Sequence, residues 1–135
     1  MRTFAVILAA SVSVLAQSPV TWEHDLGSAQ KRAAREGKPI FVDIWAEWCP
    51  PCQHLKNNVF PSKEAQKALA GYIPVSLMTE TRDRQPNVEN LKVAARFNVD
   101  GYPTMLVLDG KGKELRRQVG AFGTGHDLSV WLKKN

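Results

Sequence analysis

The run Ile40-Phe41-Val42-Asp43-Ile44-Trp45 constrains this chain more than any other stretch. Its residues are almost all apolar and β-favouring, with no alternation to give one wet face, so it reads as a strand covered on both sides. Such a strand needs a layer of helix above and another below. The flanks supply candidates. Thr21 can act as an N-cap, and Trp22, Leu26, Ala29 and Ala33 recur at spacings of four, three and four, which makes one apolar helical face ending at Gly37. Beyond the strand, Pro50 and Pro51 suit a first helical turn, where missing N–H groups cost nothing, and Gln53 to Val59 continue that helix until Pro61 kinks or breaks it.

The rest of the chain keeps alternating. Ser62 can cap a helical piece over Lys63 to Ala70, closed by Gly71, and Tyr72 to Met78 forms a second strand. Thr79 to Asn87, TETRDRQPN, is polar and aperiodic and reads as a surface loop. Val88, Leu91 and Ala95 restart a helix running to Phe97. Thr104 to Leu108, the turn Asp109-Gly110-Lys111-Gly112 and Glu114 to Val119 form a hairpin. Thr124 and Asp127 form a capping box ahead of Leu128, Trp131 and Leu132, the inner face of a last helix. Strands separated by helices predict parallel pairing through crossovers, with one antiparallel pair at the Asp-Gly turn. The expected fold is α/β, a mixed central sheet flanked by helices on both faces.

At 135 residues, 44% hydrophobic and 23% charged, the chain fits one ordinary globular domain without repeats or low-complexity tracts. The formal charge of +5 is spread among acids, which is a solvated surface and not a nucleic-acid footprint. The first sixteen residues differ from the rest: Arg2 precedes the uncharged run Phe4 to Ala16, and Val14-Leu15-Ala16 offers small-residue cleavage geometry. The run falls short of the about 20 apolar residues that a membrane span needs. The expectation is a signal peptide over 1–16, a mature domain over 17–135, and an exported, periplasmic or extracytoplasmic location.

Cys49 and Cys52 are the only cysteines. As a structural staple they would contribute little, because closing a loop of about four residues stabilises by about 2 kcal/mol against roughly 3 for about fifteen. As half of a zinc site they would need partners from His24, His54 and His126, none at ligand spacing. A redox pair accounts for the position as well as the spacing. Cys49 falls where a strand ends and a helix begins, exposed to N–H groups and the helix dipole that favour a thiolate, and Cys52 lies one turn deeper.

VDIWAEWCPPC, followed some fifty residues later by Gly101-Tyr102-Pro103-Thr104, resembles the thioredoxin superfamily over residues 21–134. Lys38-Pro39 before the strand, CQHLKNNVF after the motif and Phe97-Asn98-Val99 resemble most the C-terminal periplasmic thioredoxin-like domain of the disulfide-reducing transporter DsbD and its free-standing relatives. The resemblance implies that Pro103 is cis beside Cys49, that the Tyr102 backbone pairs with an extended substrate, and that Asp43 is a buried acid near the second cysteine. Catalytic roles then fall to Cys49 as nucleophile, Cys52 as resolving thiol and Asp43, and substrate contacts to Trp48, Pro50, Tyr102 and Pro103. Trp45 reads as a packing residue, His54 as an exposed helix residue, and His24 and His126 as surface. Proline stands at 50 where thioredoxins usually have glycine, and Val75 to Met78 holds no lysine to pair with Asp43.

These residues predict an exported thiol–disulfide oxidoreductase, a monomer needing no cofactor or metal beyond the Cys49–Cys52 disulfide. Its partners are exported proteins with disulfides or thiols and an upstream redox partner such as a membrane electron donor; nucleic acid is not among them. Reductase is the favoured direction, because Pro50 and Pro51 offer the Cys49 thiolate no backbone donor. The alternatives are an oxidase or isomerase of exported proteins, and a non-redox peptide-binding or chaperone module on the same fold.

Overall fold

The computed structural model describes residues 18–134; the expected leader over 1–16 lies outside the described residues. The elements run α1 (Leu26–Glu36), β1 (Ile40–Trp45), α2 (Pro50–His54), a π-helical segment (Leu55–Val59), α3 (Lys63–Leu69), β2 (Ile73–Met78), α4 (Val88–Arg96), β3 (Thr104–Leu108), β4 (Glu114–Val119) and α5 (Gly125–Leu132). The sheet order is β2-β1-β3-β4. β1 is therefore interior, with β2 on one side and β3 on the other, and every one of its residues is buried.

Alternation along the strands divides the core in two. Ile40, Val42 and Ile44 meet α1 and α4 through Leu26, Ala29, Ala33, Ala94 and Phe97. Phe41, Met105 and Val107 meet the π-helical segment, α3 and α5 through Leu55, Val59, Leu69, Leu128 and Leu132. Helices thus cover both faces of a mixed sheet.

Several expectations need correction. α1 begins at Leu26, not after Thr21: Asp25 caps it by accepting the Ser28 N–H at 2.7 Å, while Glu23 is held as a β-bridge to Val75. Trp22 consequently leaves the helix and joins an aromatic group on the opposite face, 6.1 Å from Phe41 and 5.0 Å from Phe60. In α4 the inward residues are Ala94 and the following Phe97, whereas Val88 is 57% exposed and Ala95 faces outward. Parallel pairing holds for β1 with β2 only; β3 runs antiparallel to β1, so α4 leads the chain across the sheet without closing a parallel crossover.

The helix after the cysteines also departs from expectation. It widens from α to π at Leu55, and the Phe60 N–H donates to the Leu55 carbonyl at 2.8 Å. A π turn takes in an extra residue. That lets Leu55, Val59 and Phe60 all face the core, whereas a regular α-helix would align Leu55 with Val59 and turn Phe60, five residues on, aside. Gly37 at φ 65° ends α1, and Thr124 and Asp127 form the reciprocal capping box at the start of α5, both as the residues predict.

Candidate active site

Cys49 sits at the junction of β1 and α2 as the N-cap of the helix, and its Sγ accepts the Cys52 N–H at 3.3 Å. Pro50 and Pro51 fill the first helical turn and offer no donor there, so the donor that Cys49 does receive comes from its own partner cysteine. The two cysteines are joined as a disulfide, with Cα atoms 5.3 Å apart. The sequence predicts an exposed Cys49 and a deeper Cys52. In the closed pair both are buried, at 3% and 2%, because Trp45, Ala46, Trp48, Met78 and Tyr102 pack around them.

Asp43 shares a face of β1 with Phe41 and Trp45, and its register neighbours are Ser76 on β2 and Met105 on β3. It is 4% exposed, and its Oδ1 has no hydrogen-bond partner. Burial alone pushes its carboxyl up to about 7, since the charged form loses water and gains nothing in return. Among the described residues no salt bridge reaches it: the Lys56 ammonium lies over the Trp45 ring at 5.0 Å, and the Trp45 indole donates to Ser76 Oγ at 2.8 Å. Asp43, Trp45, Lys56, Ser76, Met78 and Asn90 line part of one groove. A carboxyl tuned near neutrality and reached by a groove can take up or release a proton at ordinary pH.

The Tyr102–Pro103 peptide is cis. Pro103 is buried at the entry to β3, its carbonyl accepting the Gly120 N–H at 2.9 Å, and Thr104 Oγ1 donates to the Gly101 carbonyl at 2.7 Å. Tyr102 carries this segment to the cysteines: its ring meets Trp48 edge to face, centroids 6.0 Å apart at 70°. Cys49, Cys52, Trp48 and Tyr102 therefore form one cluster, with Asp43 on the strand beneath it. Pro50 stands exposed at the rim of a shallow cleft lined also by Glu47, Trp48, Gln53 and Arg82.

A strand, a redox pair at the next helix start and a cis-proline segment facing it form one arrangement, and the family comparison agrees with it: the model of the thioredoxin-like domain matches residues 26–135. The chain belongs to the thioredoxin-like domain family. It is 30% identical over 107 residues to the thiol:disulfide interchange protein DsbD of Haemophilus ducreyi, covering 78% of this chain and 18% of that protein. It is 33% identical over 79 residues to DsbD of Escherichia coli K12, covering 58% of this chain and 13% of that protein. The chain thus spans less than a fifth of the length of these relatives. Among solved structures, the DsbH oxidoreductase superposes with a TM-score of 0.76 at 21% identity, covering 96% of this chain and 92% of that one. The oxidised DsbD C-terminal domain of Neisseria meningitidis gives 0.64 at 19%, covering 82% and 96%. The fold is that of this family, with the Cys49–Cys52 disulfide at the start of α2.

Other residues of this thioredoxin-like domain fall outside the site or enter it unannounced. His54 is half-buried: its Nε2 lies 2.9 Å from the Gly123 carbonyl and its Nδ1 3.2 Å from Asn58, so it fastens α2 to the approach to α5. His24 and His126 are exposed. Among the described residues no three His, Cys, Asp or Glu side chains converge as a metal site. Sequence reasoning missed Glu80 and Arg84, which reach Trp48 from the loop after β2. Nothing in a polar, aperiodic stretch marks it as part of a site, because its contact with Trp48 is made across the top of the sheet.

Proposed function

We propose that this domain is an exported protein-disulfide reductase. Cys49, as thiolate, attacks one sulfur of a partner disulfide; that S–S bond breaks, a mixed disulfide forms, and the departing sulfur takes a proton. Cys52 then attacks the Cys49 sulfur, releasing the partner's second thiol and leaving Cys49–Cys52 oxidised. Two electrons and two protons have passed to the partner, and a second dithiol protein must restore the pair. Asp43 accepts the Cys52 proton at the resolving step. Trp48, Pro50, Tyr102 and Pro103 form the surface on which the partner's extended chain lies.

The observation that carries this reading is the closed Cys49–Cys52 disulfide at the start of α2. Direction is supported by the sparse stabilisation of Cys49: Pro50 and Pro51 supply no N–H, and the Cys52 N–H is the hydrogen bond its sulfur receives. A thiolate held by few donors leaves the disulfide the more stable form, which suits a reductant. Export is supported by the composition of residues 1–16 and by the resemblance to DsbD.

Equilibration of the mature protein with glutathione redox buffers tests direction. The expected potential is at or below about −220 mV, in the range of thioredoxins and glutaredoxins. A value near about −120 mV, that of a strong oxidant, would overturn the reductase assignment. Replacing both cysteines by serine separates the redox reading from a peptide-binding one: reduction of insulin should vanish, whereas undiminished retention of unfolded chains as the protein's sole activity would favour the latter.

A further inference from the structure

The loop Thr79 to Asn87 is a built element and not a slack connection. Its base is closed by the Asn87 N–H to the Thr79 carbonyl at 2.7 Å and the Glu47 N–H to the Glu80 carbonyl at 3.0 Å. The Arg82 N–H donates to Glu47 Oε2 at 2.8 Å, which ties the loop to the segment just before Cys49. Within it, the Thr81 N–H donates to the Gln85 carbonyl at 3.0 Å, and the Arg84 N–H donates to the Thr81 carbonyl at 3.0 Å. Arg84 itself adopts φ 65°, a left-handed conformation that a side chain with Cβ disfavours. That conformation sets the guanidinium 3.9 Å from the centroid of the Trp48 ring.

Trp48 is consequently fixed from three directions. Its indole N–H donates to Glu80 Oε2 at 2.6 Å, Arg84 covers a face, and Tyr102 meets the ring at 6.0 Å. Among the described residues no carboxylate lies within 4.0 Å of the Arg84 guanidinium, so it is the ring that positions the charge. Nor is the loop an anion site: Glu47, Glu80 and Asp83 outnumber Arg82 and Arg84, and leave no net positive field. What the guanidinium does, it does through the indole.

We propose that Arg84 is a specificity-determining residue: seated on Trp48, it holds the indole as a rigid wall beside Cys49, against which a partner's polypeptide lies, and so favours protein disulfides over small ones. This rests on the oxidoreductase reading above. A small disulfide reaches Cys49 without lying along the wall. A protein segment crossing Tyr102 must meet it, and a wall already ordered leaves less to immobilise on binding.

The test uses Arg84→Asn, which removes the cation while asparagine tolerates the left-handed backbone, and Arg84→Lys, which keeps the charge. Each is assayed with insulin under dithiothreitol recycling, and with dithiobis(nitrobenzoate) as the small disulfide in a single turnover of the pre-reduced protein freed of dithiothreitol, whose second-order rate constant takes the place of kcat/KM. For Arg84→Asn the ratio of kcat/KM for insulin to that for the small disulfide should fall about two- to fivefold, the fold-change of an exposed cation–π contact, and the loss should appear in KM. Arg84→Lys should retain part of the preference. Tryptophan emission should change in Arg84→Asn, and that change should disappear when Trp48 is also replaced by Phe. An unchanged ratio, or equal loss with both substrates, overturns the inference while leaving the oxidoreductase reading intact. A parent protein that reduces neither substrate overturns both.

Discussion

The two faces of β1 are built to different rules. Ile40, Val42 and Ile44 turn toward α1 and α4 into an aliphatic layer shared with Ile73, Val75, Leu77, Leu106 and Leu108, all fully buried. Phe41, Asp43 and Trp45 turn the other way, and in the middle of that face stands a carboxyl with an oxygen that nothing satisfies. Folding explains the first face completely. It does not explain the second, where an apolar residue at 43 would spare the desolvation of a charge. One strand thus separates what stabilises the domain from what is proposed to work the disulfide above it.

Breaking the aliphatic face should give the largest effect. Ile44→Ala deletes buried methyl groups among neighbours that cannot fully collapse, and should lower stability by about 2–5 kcal/mol. Urea unfolding with the disulfide closed measures this. Turnover per folded molecule should change little; a fall in turnover as large as the fall in stability would show that the two faces are not separable.

Asp43→Asn sharpens the comparison from the other side. The unfolded carboxyl ionises near about 3.9, the folded one at about 7. Between those values the native state keeps a proton that the unfolded state has released, so the carboxyl's effect on stability worsens as pH rises through the window and levels off above about 7. The limit is about 1.4 kcal/mol per pH unit. The substituted amide cannot ionise, so the variant should lose this slope and be more stable than the parent by about 1–3 kcal/mol at about pH 8, the buried amide retaining part of the cost. In rapid-quench experiments its mixed disulfide with a partner should decay more slowly near neutrality. Parallel stability curves for parent and variant from about pH 4.5 to about 8.5 would place the Asp43 carboxyl in contact with water and remove it from the resolving step.

The smallest effect should come from Thr124→Ala. Thr124 Oγ1 accepts the Asp127 N–H at 3.2 Å, and Asp127 Oδ2 accepts the Thr124 N–H at 2.9 Å, closing the start of the helix that covers the Asp43 face. Losing this cap should cost about 1 kcal/mol, read as a shift in the urea midpoint at unchanged slope. The reduction potential should stay where it was, because Thr124 is exposed and is not among the residues packed around the cysteines; a shift of the potential would mean that α5 packing reaches the disulfide.

Much of this can be read from residues alone. β1, the hairpin turn, the Gly37 stop and the Thr124 box depend on hydrogen bonds and side-chain periods within a few residues, and each appears where the chain predicts it. Trp22 misleads because its spacing from Leu26 fits a helix, while Glu23 finds a better partner in the edge of β2, which is distant in sequence. The π turn is illegible for a related reason: only a core on one side rewards bringing Phe60 under Leu55.

The sequence by itself determined the order of strands and helices, though not the start of α1 or the π turn, together with the spacing of Cys49 and Cys52 and the odd acid in an apolar strand, because each is a property of neighbouring residues. The tertiary structure decided the rest. It ran β3 antiparallel to β1, closed Trp45, Trp48, Met78 and Tyr102 around both sulfurs, left Asp43 Oδ1 without a partner, and brought Arg84 onto Trp48. Strand direction depends on the path of the whole connection, and burial and stacking depend on surfaces contributed by distant segments. No local pattern of residues encodes where those segments meet.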